Sequence, residues 1–286
     1  MLIWNAHSRM IDALAFGPDG HTLALSGYHL ACRVIDPLTG ERRWTAGSNS
    51  AFGLSLAFAP GGAVLCRQSG LSVRDPATGD ETHRFGDWCQ SFALAPDGRT
   101  AFAASKRYNT VARYVLGTNA PPDEFQLDTG LTNRLAVAPN GALLAAVGGR
   151  RFCLVTTDTF EVRAGSGHRA LSSGAFALAF SPCGRFLAFS AGRTLFAWDV
   201  PDMREVAQKH LESKHFMDAA FTPDGRRLLT VSKEGAVRVW DTATWACEHT
   251  LEWGVGPLRA VAIAPDGTRA AAAGDSGRVV VWDLDV

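Results

Sequence analysis

The sequence predicts an all-β fold of seven similar units, and three patterns support this prediction. A large apolar residue, one spacer and Pro-x-Gly recur seven times in the 286 residues. Alanine stands immediately before every one of these apolar residues. A second β-rich run, which often ends in Trp-Asp, follows about ten residues after each turn. The seven prolines are Pro18, Pro60, Pro96, Pro139, Pro182, Pro223 and Pro265.

The spacing of the repeats indicates how many strands each one forms. Successive prolines are 42, 36, 43, 43, 41 and 42 residues apart. A period of about 40 to 45 residues is that of a four-stranded β-propeller blade. We therefore expect a seven-bladed β-propeller of four-stranded antiparallel blades. Because stacked repeats bury one another's faces, we expect a single domain over residues 1–286.

Each Pro-x-Gly is expected to form the turn of a β-hairpin. Apolar stretches flank it, such as residues 176–180 before the fifth turn and 186–190 after it. Proline fixes the first turn position, Asp or Asn accepts a hydrogen bond from the nearby backbone, and glycine adopts positive φ. The strand before the turn is predicted to be the innermost one, since its alanine lets neighbouring blades pack closely.

The N-terminal strand is expected to close the ring by joining the last blade. After Asp283 the sequence given has three residues, too few for the fourth strand of blade seven. We predict that Leu2, Ile3 and Trp4 pair with the strand over residues 278–283. Such pairing removes an exposed strand edge.

The repeats resemble the WD-repeat β-propeller family along essentially the whole chain. The resemblance rests on the seven turns in phase, the spacing of His7 from the first turn, and runs such as that from Phe221 to Trp240-Asp241. It implies a non-catalytic platform for protein interaction. The chain departs from the family pattern in two ways, because it lacks a complete His, Ser/Thr, Asp, Trp tetrad and because its first four repeats have other residues at the Trp position. Those residues are Ile35, Arg74, Tyr114 and Val155.

Composition restricts the class of protein. Apolar residues make up 47% and charged residues 20%, which is typical of a globular chain. A formal net charge of zero argues against bulk electrostatic binding to nucleic acid. No apolar stretch is long enough for a membrane helix. Six single cysteines without a Cys-x-x-Cys pair favour a reducing compartment, so we expect a cytoplasmic protein.

The sequence offers little catalytic chemistry. It has no Gly-x-Ser-x-Gly motif. Asp12 and Asp218 are the acids near the starts of innermost strands, and we interpret both as solvated residues rather than metal ligands. His7, His168 and His215 are interpreted as members of structural hydrogen-bond networks. We therefore expect no enzyme activity, no metal and no cofactor.

The predicted binding surface comes from charge that the net value conceals. Connections on one face are rich in Lys and Arg, whereas the turns of the other face are rich in Asp. We expect this basic face to bind an acidic or phosphorylated segment of a partner protein, with Trp88 or Trp253 as an aromatic anchor. The predicted partner-binding residues are Lys106, Arg107, Arg150, Arg151, Arg169, Arg193, Lys233, Trp88 and Trp253.

Two alternative functions remain open at the level of sequence. One is a propeller enzyme with a ligand or metal in the central channel, and the other is a nucleic-acid-binding propeller. The leading interpretation is a monomeric interaction scaffold that binds protein or peptide.

Overall fold

The computed structural model describes residues 1–47, 55–67, 70–86, 89–105, 110–127, 129, 132–149, 151–166 and 175–284. These residues form strands and turns without a helix, so no helix among them could cross a membrane. They group into two compact units. Unit 1 contains Met1–Arg84 and Met217–Val286, and unit 2 contains Phe85–Phe216. The single domain predicted above stays a prediction.

The strands follow the predicted repeat. In chain order they are β1 (Leu2–Asn5), β2 (Ile11–Phe16), β3 (Leu23–Gly27), β4 (Leu30–Ile35), β5 (Arg42–Gly47), β6 (Leu56–Phe58), β7 (Val64–Arg67), β8 (Leu71–Arg74), β9 (Glu81–Phe85), β10 (Ser91–Leu94), β11 (Thr100–Ala104), β12 (Thr110–Val115), β13 (Asp123–Gln126), β14 (Thr132–Val137), β15 (Leu143–Gly148), β16 (Phe152–Thr156), β17 (Val162–Ser166), β18 (Leu178–Phe180), β19 (Phe186–Ala191), β20 (Thr194–Asp199), β21 (Arg204–His210), β22 (Phe216–Phe221), β23 (Arg227–Ser232), β24 (Ala236–Asp241), β25 (Cys247–Glu252), β26 (Leu258–Ile263), β27 (Arg269–Gly274) and β28 (Arg278–Asp283).

These strands form seven four-stranded antiparallel sheets. Blades 1 to 6 are β2–β5, β6–β9, β10–β13, β14–β17, β18–β21 and β22–β25, and blade 7 is β26–β28 with β1 as its fourth strand. Blades 3, 4 and 5 make up unit 2, and the other four make up unit 1. The predicted fold class, a seven-bladed β-propeller whose N-terminal strand joins the last blade, is confirmed.

The Pro-x-Gly turns have the conformation that the sequence predicts. The turn glycines of all seven repeats have positive φ, between 64° and 89°. Asp97 shows the other part of the prediction, because its Oδ1 accepts a hydrogen bond from the Arg99 amide at 2.8 Å. Equivalent bonds form in four further turns, at Asp19, Asn140, Asp224 and Asp266.

The alanines of the innermost strands provide close contacts between blades, as predicted. In unit 1, Leu14 and Phe16 of blade 1 lie in one buried cluster with Ala260 and Ala262 of blade 7. In unit 2, Ala93 of blade 3 lies in one cluster with bulky residues of blade 4. Small residues on one blade thus leave room for large ones on the next, and the interior stays close-packed.

The N-terminal strand pairs as predicted. Leu2, Ile3 and Trp4 lie opposite Val281, Val280 and Val279 in antiparallel register. Two backbone hydrogen bonds, from the amides of residues 6 and 7 to the carbonyl of residue 277, continue this attachment at 3.1 and 3.0 Å. The strand therefore supplies the fourth strand of blade 7.

Two tryptophans on outer strands form hydrogen bonds between consecutive blades of unit 1. Trp4 Nε1 donates to the Pro37 carbonyl at 3.1 Å, and Trp44 Nε1 donates to the Pro76 carbonyl at 2.8 Å. Each indole lies over a turn glycine of the next blade, where an added Cβ would come within 2.7 Å of the Trp4 ring or 2.5 Å of the Trp44 ring. Glycine is thus required at both turns by positive φ and by space.

Candidate interaction surface

Every blade has two edges of different character. At the loop edge, the chain enters the innermost strand and turns from the second strand to the third. At the turn edge lie the Pro-x-Gly turns and the turns from the third strand to the fourth. Because the strands of each sheet are antiparallel, the connections of the loop edge lie at one end of the strands and those of the turn edge lie at the other end. The predicted basic residues that the structure describes, Arg151, Arg193 and Lys233, lie at the loop edge.

Blade 5 holds a basic cluster at its loop edge. Arg193 is exposed in the β19–β20 turn, and its Nη1 donates to the Glu212 carbonyl at 2.7 Å. The Leu211 amide donates to the Arg193 carbonyl at 2.9 Å. These bonds hold the turn against the segment that follows β21, which carries the exposed Lys214. The half-buried Lys209 lies near the end of β21. The cluster therefore has a defined backbone geometry.

Blade 4 adds basic residues to the loop edge of unit 2. Arg151 is exposed in the β15–β16 turn. Arg134 lies near the start of the innermost strand, and its Nε donates to the Phe176 carbonyl at 2.6 Å, which joins blade 4 to blade 5. Among the described residues of this edge, Glu212 is the one acid. Blades 4 and 5 thus present a surplus of positive charge there.

Two other predicted residues lie at the loop edge of unit 1. Lys233 is half-buried in the β23–β24 turn, beside a 2.6 Å ion pair between Glu234 and Arg238. Trp253 is half-buried and packs against Trp282, with ring centroids 4.8 Å apart. Trp253 thus contributes part of its surface to blade packing.

The other predicted positions fall outside the described residues. They are Lys106, Arg107, Arg150, Arg169 and Trp88. Their role in partner binding stays a prediction.

The two acids at the starts of innermost strands connect blades. Asp12 is buried, with 2% of its surface exposed, and its Oδ1 lies 3.3 Å from Arg259 Nη1. Asp218 Oδ2 accepts a hydrogen bond from the Val261 amide at 3.1 Å. Both carboxylates contact blade 7, so the interpretation of Asp12 as a solvated residue is wrong. In the described part of the chain, no group of three or more His, Cys, Asp or Glu side chains could hold a metal ion.

Parts of the structural hydrogen-bond networks are present. Trp240 Nε1 donates to Thr230 Oγ1 at 2.9 Å inside blade 6. His7 Nε2 hydrogen-bonds the Tyr28 carbonyl at 3.0 Å, which confirms that it has a structural bond. His215 stacks on Phe176 with centroids 6.3 Å apart, and His168 lies outside the described residues.

Two buried thiols contact each other between blades 1 and 2. Cys32 and Cys66 both have 0% of their surface exposed and belong to one apolar cluster. Burial raises the pKa of Cys32, so this thiol stays protonated at neutral pH. The pair contributes to packing, because a substrate has no access to it.

A groove at the turn edge of unit 2 was missed by the sequence analysis. It has a volume of about 730 Å³ and lies between blades 3 and 4. Pro96, Phe102, Val115 and Pro139 supply its apolar part. Its charged side chains are three carboxylates and one guanidinium, those of Asp97, Asp123, Asp158 and Arg113.

A sequence signal for this groove existed. The residue after the Trp position of the repeat is Asp in five blades, and the exceptions are Val115 in blade 3 and Thr156 in blade 4. Both exceptions line the groove. The signal is a missing turn residue in two consecutive repeats.

Comparison with known proteins agrees with the repeat structure. The WD40 family, described as WD domain, G-beta repeat, matches residues 206–241 and 245–283. These segments contain most of blade 6 and the last blade, with their Trp-Asp ends. The resemblance to WD-repeat propellers is confirmed.

Two curated relatives share part of their sequence with this chain. Periodic tryptophan protein 2 homolog of Dictyostelium discoideum is 22% identical over 251 residues, which is 84% of this chain and 22% of that protein. Periodic tryptophan protein 2 of Arabidopsis thaliana is 30% identical over 182 residues, which is 59% of this chain and 18% of that protein. The chain thus spans about a fifth of the length of these relatives.

Proposed function

We propose that this chain is a non-catalytic protein-interaction scaffold whose loop edge in unit 2 binds an acidic or phosphorylated segment of a partner protein. The observation that carries the proposal is the basic cluster of blade 5. Arg193 is exposed and positioned by its bond to the Glu212 carbonyl, with Lys209 near the end of β21 and Lys214 in the segment after it. The WD40 repeats support the scaffold class, although fold alone does not determine function.

The chemistry of the cluster suits an anionic ligand. Arg presents a planar fork of donors that matches the oxygens of a carboxylate or phosphate, and Lys adds mobile positive charge. One Arg193 donor is used by the Glu212 carbonyl, which fixes the side chain and leaves other donors for a ligand. Since the cluster lies at an exposed edge, the attraction is screened by salt. The monomeric state and the cytoplasmic location are part of this proposal.

The proposal is tested with a defined probe. The first probe is a fluorescent acidic peptide that contains phosphoserine. The second is the same peptide with serine in place of phosphoserine and glutamine in place of the acidic residues. Each peptide is titrated with the protein at two salt concentrations. We expect the phosphorylated peptide to bind more tightly and to lose affinity as salt rises. In the triple variant Arg107→Glu, Arg151→Glu, Arg193→Glu, the affinity for the phosphorylated peptide should fall at least about tenfold, since three charges are reversed.

Two further variants separate specific recognition from general charge. Arg193→Lys keeps the charge but removes the fork, so it should bind less tightly than the native protein and more tightly than Arg193→Glu. Arg226→Glu reverses a side chain of unit 1 that is 86% exposed at a turn edge, and it should bind as the native protein does. Full binding by the triple variant with an unchanged melting temperature would contradict the proposal. Stoichiometric metal in the purified protein, or tighter binding of random RNA, would favour one of the alternatives.

A further inference from the structure

The groove between blades 3 and 4 is lined by Val115, which occupies a position where five of the blades have an Asp. In blades 1 and 2, Asp36 and Asp75 accept hydrogen bonds from the amides two and three residues later and so stabilise the turn to the outer strand. Thr156 keeps part of this role, because its Oγ1 accepts from the Glu161 amide at 3.0 Å. Val115 has no such acceptor and is 48% exposed. Its side chain is therefore available for an apolar contact.

The guanidinium in the groove is already committed to the protein. Arg113 Nε and Nη2 donate to Asp123 Oδ2 at 3.0 and 2.6 Å, and Nη1 donates to the Thr157 carbonyl at 2.9 Å. The group also lies over the Phe160 ring, 4.9 Å from its centroid. Arg113 thus neutralises Asp123 and ties blade 3 to blade 4. It offers little attraction to an incoming anion.

The two remaining carboxylates of the groove are ionised at neutral pH. Burial opposes ionisation of Asp97, but the hydrogen bonds from the Arg99 and Thr100 amides and the Thr100 hydroxyl, with the charge of Arg99, outweigh it, and the pKa of Asp97 is lowered. The hydrogen bond from the Thr159 amide lowers the pKa of Asp158. Arg99 is near Asp97 but is exposed outside the lining of the groove. The lining therefore carries an excess of two negative charges beside an apolar wall.

We propose that this groove is a second docking surface, which binds an extended segment of a partner protein in which an apolar residue is flanked by basic residues. The apolar side chain packs against Val115, Pro96 and Pro139, and the flanking cations face Asp97 and Asp158. Charge complementarity selects this occupant over an acidic segment or a nucleic acid. The volume of about 730 Å³ accommodates a few side chains rather than a folded domain.

The test uses two synthetic decapeptides with a central leucine, one flanked by arginines and one flanked by serines. Binding is measured by fluorescence anisotropy with the full chain. We expect the arginine-flanked peptide to bind at least about tenfold more tightly than the serine-flanked one. Val115→Ser should weaken its binding about fivefold or more through lost apolar burial. Asp158→Asn should weaken it about two- to fivefold and reduce its dependence on salt.

A matched control comes from an equivalent turn in unit 1. Leu38 is also 48% exposed and follows the Asp of blade 1, but it lines none of the described grooves. Leu38→Ser should therefore bind the arginine-flanked peptide as the native protein does. The proposal is overturned if neither peptide binds at millimolar concentration, if both bind equally, or if Val115→Ser binds as tightly as the native chain. Loss of binding in Leu38→Ser equal to that in Val115→Ser would overturn it as well.

Discussion

At the scale of single residues, the turn positions are those that sequence predicts best. Proline and glycine restrict or extend the local backbone whatever surrounds them, so Pro-x-Gly specifies the same turn seven times. The partners of Asp12 and of Arg193 could not be predicted in this way. Arg259 contacts Asp12 because two strands that are distant in sequence pack together. The Glu212 carbonyl contacts Arg193 because an irregular loop brings it there.

Two adjacent glycines of the second turn provide a matched test. Gly62 has a φ of 89°, whereas Gly61 is exposed and does not have positive φ. Neither position is crowded, because the nearest atom to an added Cβ at Gly62 is 3.7 Å away and none lies within 4 Å at Gly61. We expect Gly62→Ala to lower the free energy of unfolding by about 1 to 2 kcal/mol. Gly61→Ala should leave it unchanged or raise it by about 0.4 to 1 kcal/mol.

Urea denaturation of both variants measures this difference. Because the two positions are neighbours in one turn, loss of a side-chain contact cannot account for a gap between them. Equal stability of the two variants would show that the turn does not require positive φ at Gly62.

At the scale of elements, β1 shows what the repeat pattern specifies and what it leaves out. The missing fourth strand of blade 7 could be predicted because six other blades define its place. The stacking of Trp4 on Gly40 could not, since the two residues belong to different blades and no local spacing relates them. The groove beside Val115 was missed for another reason, because its signal is the absence of a turn residue rather than the presence of a motif.

Removal of β1 is expected to destabilise the protein. Deletion of residues 1–6 exposes the edge of β28 and removes the contact of Trp4 with the next blade, so the melting temperature should fall by several degrees or more. The milder variant Trp4→Phe keeps an aromatic ring but loses the hydrogen bond to the Pro37 carbonyl, which should cost about 0.5 to 1.5 kcal/mol. A melting temperature unchanged by the deletion would contradict the role of β1 in blade 7.

At the scale of the whole molecule, we propose that the two edges of unit 2 have different functions. The loop edge of blades 4 and 5 carries Arg151, Arg193 and Lys214 against one described acid. The lining of the groove at the turn edge of blades 3 and 4 carries more carboxylates than cations, together with the exposed Val115. Opposite charge at the two edges suits two different partner segments, as the proposed scaffold function requires.

The most direct measurement titrates the phosphorylated acidic peptide and the arginine-flanked peptide separately against two double variants. One is Arg151→Glu with Arg193→Glu, and the other is Val115→Ser with Asp158→Asn. We expect the first variant to lose binding of the acidic peptide and to keep binding of the arginine-flanked one, and we expect the second variant to do the reverse. Effects at separate sites should be independent to within about 0.5 kcal/mol, or roughly twofold in affinity. If either variant loses binding of both peptides while its melting temperature is unchanged, the two edges are not separate binding surfaces.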